Sequence, residues 1–560
     1  MTLAKRLLLV GLIILLLVSA WVWWNRPRRI DMAAYAPSDA LVYLECNNFI
    51  DIGEAIVNTT AWNEFRPLLG INDRSLPGSW LRRLITWTGI GSTPTVILAR
   101  AQVAVVVLEL GATEKDESLT IKPEAAILLE THTSERRIRP VVEEGLRRFA
   151  ATAIQGATLQ RHTVSDTEFI VWSAPDHNKQ IVATISGSLV IVGNNERAVQ
   201  TCLDVQRGLR PNLQNHQELQ QMRTTLKAEE SLAFGFVSSA NSGRLISAAA
   251  PLVTGTAPGD LRFDRLIAAG ASKVLGSVGW SSGPANGGIE DRYLFVLTPN
   301  LVSRLRPFFK AGQQRTSVLD VVPDDVHSVT VYKFEDPFAT WQAVQTGVST
   351  QLDTLSTIVF TSVLKAGLSS YGIEDPNNFL RTVGPELITT RLRRESEKSV
   401  LIGAVRDEAA LRQVLFGQSN GGPKGPAEVM GIPGKDTAAS FVNGNVLIGV
   451  EPELRICLSE AQNAARQSDL KRLDEFVHDS SSAGVATATQ DDDRVLSFLE
   501  AVRRMNGSAT PADAEQLSRK LDSLPYSVTQ TTLGELGLER RTQSSFGQFG
   551  SLLPLLFPSR

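Results

Sequence analysis

Cysteine is scarce: three residues in 560, Cys46, Cys202 and Cys457. Three cannot build a disulfide framework, and one is always left over. Histidine is scarce too. Six are scattered singly (His132, His162, His177, His216, His327, His478), with no His-x-x-x-His or His-Glu-x-x-His pair, so the common helical zinc motifs are missing. Walker loops are absent as well. A basic surplus is also lacking. Residues 1–29 hold five basic residues and no acidic one; taking those five from 56 Lys+Arg leaves 51 against 59 Asp+Glu, a net of −8. A body that acidic lacks the electrostatic footprint of a nucleic-acid binder, so no nucleic-acid partner is expected.

What remains describes a folded protein. Hydrophobic residues make up 43% and charged residues 21% of the chain, and its length suits two or more domains. Leu7 to Trp24 is an uncharged run of eighteen residues, rich in Leu, Ile and Val. As a helix it spans about 27 Å. Trp21, Trp23 and Trp24 and then Arg26, Arg28 and Arg29 follow in the order of a membrane interface. The competing reading is a cleaved signal peptide, with small residues at Val18-Ser19-Ala20. The apolar run continues past that point, which favours an uncleaved signal-anchor. With six residues ahead of the helix, the body is expected outside the cytoplasm.

The rest of the chain carries paired marks in one order. Pro37-Ser38-Asp39 leading to Tyr43 matches Pro323-Asp324-Asp325 leading to Tyr332. Gly187–Gly193 matches Gly444–Gly449, and a helix with one cysteine follows each, Cys202 or Cys457. Gly288-Ile289-Glu290-Asp291-Arg292 matches Gly537-Leu538-Glu539-Arg540-Arg541. Four ordered matches predict two tandem copies of one domain. Short strands separated by turn-formers, mixed with helices and without βαβ alternation, predict an α+β fold. The expected layout is 1–33 stub, transmembrane signal-anchor and linker, 34–310 first copy, and 311–560 second copy, each with its own core. Residues 113–118 and 420–427 are expected to be loops.

Chemical motifs are weak throughout. Asp491-Asp492-Asp493 lacks the alternate spacing and glycine of a calcium loop and reads as a solvated helix start. Ser362-Val363-Leu364-Lys365 has the Ser-x-x-Lys pattern without its companion elements. Gly89-Ile90-Gly91 is an incomplete dinucleotide fingerprint, better read as helix termination. Trp62, Trp172, Trp280 and Trp341 read as core anchors, with a ligand cleft as the alternative. Cys202 and Cys457 read as small apolar packing residues. The run Leu552–Phe557 parallels Leu305–Phe309 and reads as a helix closing its own copy. No catalytic, cofactor-binding or metal residue is singled out, and no cofactor is expected.

The start Pro37-Ser38-Asp39-Ala40-Leu41-Val42-Tyr43-Leu44-Glu45 and the block Gly187–Gly193, behind one apolar segment, resemble an uncharacterised bacterial family, domain-of-unknown-function family 3352. The resemblance covers nearly the whole chain after residue 34. It implies a single-span, membrane-anchored protein with a large periplasmic body, and it carries no activity or site residues. The expected role is non-catalytic binding or scaffolding in the bacterial envelope, with an envelope protein as partner. The alternatives are a hydrolase with a site between the copies and a carrier of an apolar ligand.

Overall fold

The computed structural model describes residues 29–69, 92–115, 118–176, 178–254, 269–311, 318–323, 325–396, 398–417, 425, 427–460, 473, 483–505 and 514–556. Nineteen strands form a single sheet. The first ten are β1 (Val42–Cys46), β2 (Gln102–Lys115), β3 (Ser118–Glu130), β4 (Thr158–Val164), β5 (Thr167–Ser173), β6 (Gln180–Ser186), β7 (Leu189–Gly193), β8 (Ala233–Val237), β9 (Leu275–Ala285) and β10 (Gly288–Leu297). The other nine are β11 (Ser328–Lys333), β12 (Val383–Arg391), β13 (Val400–Val405), β14 (Met430–Gly431), β15 (Ala438–Val442), β16 (Asn445–Gly449), β17 (Gly484–Thr489), β18 (Ser527–Leu533) and β19 (Gly537–Ser544). Every ladder is antiparallel.

Followed outward from the junction of β10 with β19, one side runs β10-β9-β8-β1-β2-β3-β7-β6-β5-β4. The other runs β19-β18-β17-β11-β12-β13-β16-β15-β14. The connectivity is the same strand for strand, except that β4 has no counterpart. At the junction Arg292 lies opposite Arg541, its match in the closing motif, so the two strands meet about a pseudo-two-fold axis. Gly288 and Gly537 sit at corresponding ends of the junction. A Cβ on Gly288 would run into the Ser544 carbonyl, and one on Gly537 into the Phe295 carbonyl. Glycine there lets the two backbones close to ladder distance.

This corrects the expected architecture. One sheet passes across the 310/311 boundary. Most apolar clusters lie within one half, but one crosses the boundary: Ala61, Trp62, Phe65 and Leu69 pack with Val495, Phe498, Leu499, Val502 and Phe546. The transmembrane helix is corrected as well, and with it the single-pass, extracytoplasmic localisation. No helix among the described residues is long and apolar enough to cross a membrane, and Leu7–Trp24 lies outside the described residues. Two smaller corrections follow. The loop expected at 113–118 is the tip of a long hairpin, because β2 and β3 continue to Lys115 and Ser118. Tyr43 and Tyr332 are not equivalent: counted from the junction, Tyr43 matches Val329 and the two tyrosines face opposite sides of the sheet.

Strand alternation gives the sheet two different faces. On one, Tyr43, Val106, Leu128, Val182, Ile191 and Phe234 pack against the helix Glu196–Gln206, which carries Cys202. Val329, Val331, Ile388, Ile402 and Leu447 pack likewise around Cys457 on the helix Glu451–Glu460. Burial pushes both thiols up to about 12, so they serve as small apolar side chains. The start of the described chain is held to this face by charge. Arg223 donates to both Asp31 oxygens at 2.9 and 2.8 Å and to Glu45 at 2.8 Å. The fully buried Tyr43 hydroxyl donates to Glu45 at 2.7 Å. Burial raises the Glu45 carboxyl, and Arg223 opposes that rise.

Two outcomes follow. Gly537→Ala forces a methyl against the Phe295 carbonyl and should cost about 2 kcal/mol or more in denaturant unfolding; an unchanged midpoint would show that the junction is not tightly closed. Arg223→Met leaves Asp31 and Glu45 facing each other without a cation, and a loss of about 3 kcal/mol is expected in the same measurement.

Candidate functional site

On the face opposite the cysteine helices, directly paired residues form one unbroken row. It runs Val192, Ile127, Val105, Leu44, Gly235, Trp280, Tyr293, Arg540, Thr531, Val485, Tyr332. Its first-half part is apolar and β-branched, as a strand favours. Gly235 matters locally. A Cβ there would lie 2.7 Å from Leu44 Cδ2 and 3.2 Å from Trp280 Cε3, so its absence lets both side chains lean over the strand.

The exposure of this floor distinguishes the two halves. Ile127 is 42% exposed on a strand flanked on both sides, with Leu44, Val105 and Val192 part-buried beside it. Counted from the junction, its counterpart is Leu401, which is 2% exposed. Leu401 is sealed in a core with Phe379, Leu411, Leu415 and Phe416. The corresponding second-half row otherwise carries hydroxyls: Thr542, Thr529, Thr487, Thr330 and Thr389 stand side by side. Thr529 and Thr542 hydroxyls are 2.9 Å apart and those of Thr330 and Thr487 3.0 Å.

Between these surfaces the junction places a polar knot. Asp291 is buried; its Oδ1 accepts from Trp280 Nε1 at 3.0 Å and its Oδ2 from the Gln548 amide at 2.9 Å. The Gln548 side chain donates to the Tyr293 hydroxyl. Burial raises the Asp291 carboxyl, and burial together with the Asp291 charge pushes Tyr293 up to about 12. With one hydrogen bond on each oxygen, Asp291 ties the chain near residue 548 to β10.

The residues weighed from sequence do not converge. His132 contacts Gln102 at 3.1 Å, while His162 contacts Glu196 at 3.1 Å and stacks on Phe169. His216 and His327 have buried, unpartnered Nδ1 atoms in different halves. His177, His478 and Gly89–Gly91 lie outside the described residues, as does the 420–427 loop except Gly425 and Ala427. Ser362 donates to its own helix at Ile358, and Lys365 is exposed. Trp62, Trp172 and Trp341 fall in three separate apolar clusters. Among the described residues no three His, Cys, Asp or Glu side chains gather as a metal site would. The Asp491–Asp493 reading needs correction. The helix does start there, at Asp492, but Asp491 is buried. Its Oδ1 lies 3.5 Å from Arg494 Nε and its Oδ2 has no partner. Asp291 of the knot and Val192 of the floor lie within the paired marks of the sequence and Leu44 next to one, but those marks signal the repeat and not a site. The apolar runs Val103–Leu108, Ala125–Leu129 and Leu189–Val192 in β2, β3 and β7 signal the floor only once the register is known. No protein-family model, curated protein or solved structure matches the chain.

Burial pushes the Asp491 carboxyl up to about 6, with Arg494 opposing and Asp492 adding to the rise. Its folded pKa lies above its unfolded one, so the charged form opposes folding. That penalty is full above about pH 6 and is relieved as pH falls towards 4. Asp491→Asn should therefore stabilise the chain at pH 7.5, on the order of 1–2 kcal/mol, and flatten the pH profile between 4 and 7. A variant that is less stable at pH 7.5 would contradict this.

Proposed function

We propose that this chain is a non-catalytic binding protein whose binding surface is the sheet face opposite the cysteine helices. One observation carries the reading: Ile127 is 42% exposed in mid-sheet where its counterpart Leu401 is sealed. An exposed, contiguous apolar surface on a folded chain marks an interaction site more often than an isolated apolar side chain does. The floor of Leu44, Val105, Ile127 and Val192 continues through Trp280 and Tyr293 towards the threonine rows. It suits an extended partner with one apolar and one hydrogen-bonding stretch. The hydrolase alternative has weaker support, because the buried carboxylate at the junction serves as a structural tie between Trp280 and the Gln548 amide.

Ile127→Thr keeps a β-branched residue in the strand and replaces apolar surface with a hydroxyl. Titration with an environment-sensitive apolar dye should show saturable binding to the parent chain. The variant should bind about three- to ten-fold more weakly, with an unchanged unfolding midpoint. Equal affinity in the two would remove this face as the binding surface.

A further inference from the structure

The two ends of the sheet are finished differently. The second half ends on β14, two residues long and too short to template another strand. The first half ends on β4, seven residues long, which among the described residues pairs only with β5. Six of its seven side chains are exposed, so β4 adds almost nothing to the core. It is also the strand that the second half lacks.

Sheet edges are normally guarded by proline, unpaired charge or a bulge. β4 has no proline, and its pairing with β5 runs without a register shift. Its Arg and His side chains are both engaged within the chain. Arg161 bonds Glu143 at 2.9 Å and Glu168 at 3.1 Å, and His162 lies 3.1 Å from Glu196. On this edge Leu159 is 48% exposed, and the helix Glu135–Ala153 is joined to β4 through Glu143 and Arg161. That helix carries both charge signs on its outer surface, with Glu144 bonded to Arg147 and Arg148.

We propose that β4 is a dimerisation edge, which pairs antiparallel with β4 of a second copy of this chain. The chain already contains this kind of joint: at β10–β19, matching strands pair about a pseudo-two-fold axis. A true two-fold perpendicular to the sheet requires a residue to face itself, which keeps each face continuous. Centring on Gln160 sets Leu159 of each copy against the aliphatic stem of Arg161 of the other. Centring on Arg161 would oppose two like charges. The first register also brings the mixed-charge surfaces of the two 135–153 helices towards one another, so acid can meet base across the axis.

Light scattering on the full chain over a concentration series should show the mass doubling, while hydrogen exchange at 158–164 slows in step. Leu159→Lys places a charge on an already exposed position. It should move dimerisation to at least tenfold higher concentration with no change in the unfolding midpoint. Gln160→Cys should cross-link two copies under oxidised glutathione where the parent chain does not. A mass that stays single throughout overturns the proposal. So does a dimer that Leu159→Lys leaves intact and Gln160→Cys does not cross-link. A single chain whose β4 amides are protected only by a foreign extended peptide would give the edge to another occupant and overturn it equally.

Discussion

The pairing of β10 with β19 is the constraint on which the rest depends. A closing strand with a free edge leaves a row of unpaired amides and carbonyls, and burying them unpaired would be costly. Here each half offers such a strand, and each satisfies the other, with Arg292 opposite Arg541 and Ile289 opposite Ser544. Because the joint is antiparallel between matching strands, strand order on one side reproduces strand order on the other. It also brings regions some 250 residues apart into contact. The Asp291 bond to the Gln548 amide and the packing of Phe549 against Ile289 exist only because the joint is made.

From the joint, alternation carries a consistent two-sidedness through all nineteen strands. Residues in phase with Arg292 lead, through direct pairs, to the cores around Cys202 and Cys457. Residues in phase with Tyr293 lead to the face where covering helices differ between halves. A slip of one residue anywhere would exchange the two faces. The turns that hold the register are correspondingly strict. Asn443 and Gly444 both adopt positive φ between β15 and β16, the signature of a type I′ hairpin, and Gly187 does so between β6 and β7.

Local features were therefore legible in the sequence, and non-local ones were not. The strand ends near Gly187 and Gly444, the cysteine helices and the closing Gly-[Ile/Leu]-Glu motif could be read because turn chemistry and periodicity act over a few residues. The tyrosine match failed because Tyr43 and Tyr332 are three places out of step in equivalent strands, which only the ladder reveals. The long β2–β3 hairpin was missed because its tip, around Lys115 to Ser118, is polar and resembles a loop. Asp491 looked solvated beside two further aspartates, yet its side chain is only 8% exposed, a tertiary effect that neighbouring residues do not signal. The run Leu552–Phe557 was read as closing its own copy; the helix Phe549–Leu556 does pack on the helix Asp492–Met505 of its own half, and its first residue, Phe549, also packs with Ile289 of the other half. The candidate floor was the least legible feature, since its significance lies in a difference of exposure between Ile127 and Leu401.

That difference shows where the two halves have diverged. Leu44 and Val105 correspond to Thr330 and Thr389, and Trp280 corresponds to Thr529. A threonine can replace a valine on a sheet face at little cost to the strand, because both are β-branched and adopt similar rotamers. The exchange changes what the face offers to a neighbour without changing the ladder beneath it. The strand scaffold is thus held constant by backbone pairing, while surface chemistry varies on top of it. In the second half the apolar positions that remain, Leu401 and Ile448, are sealed by helices. In the first half Ile127 and Val192 hold the same places with less cover. Selection for stability alone would favour sealing Ile127 or exchanging it for threonine, as was done across the joint. Its exposure as an apolar side chain in mid-sheet is the physical reason for the proposed binding surface.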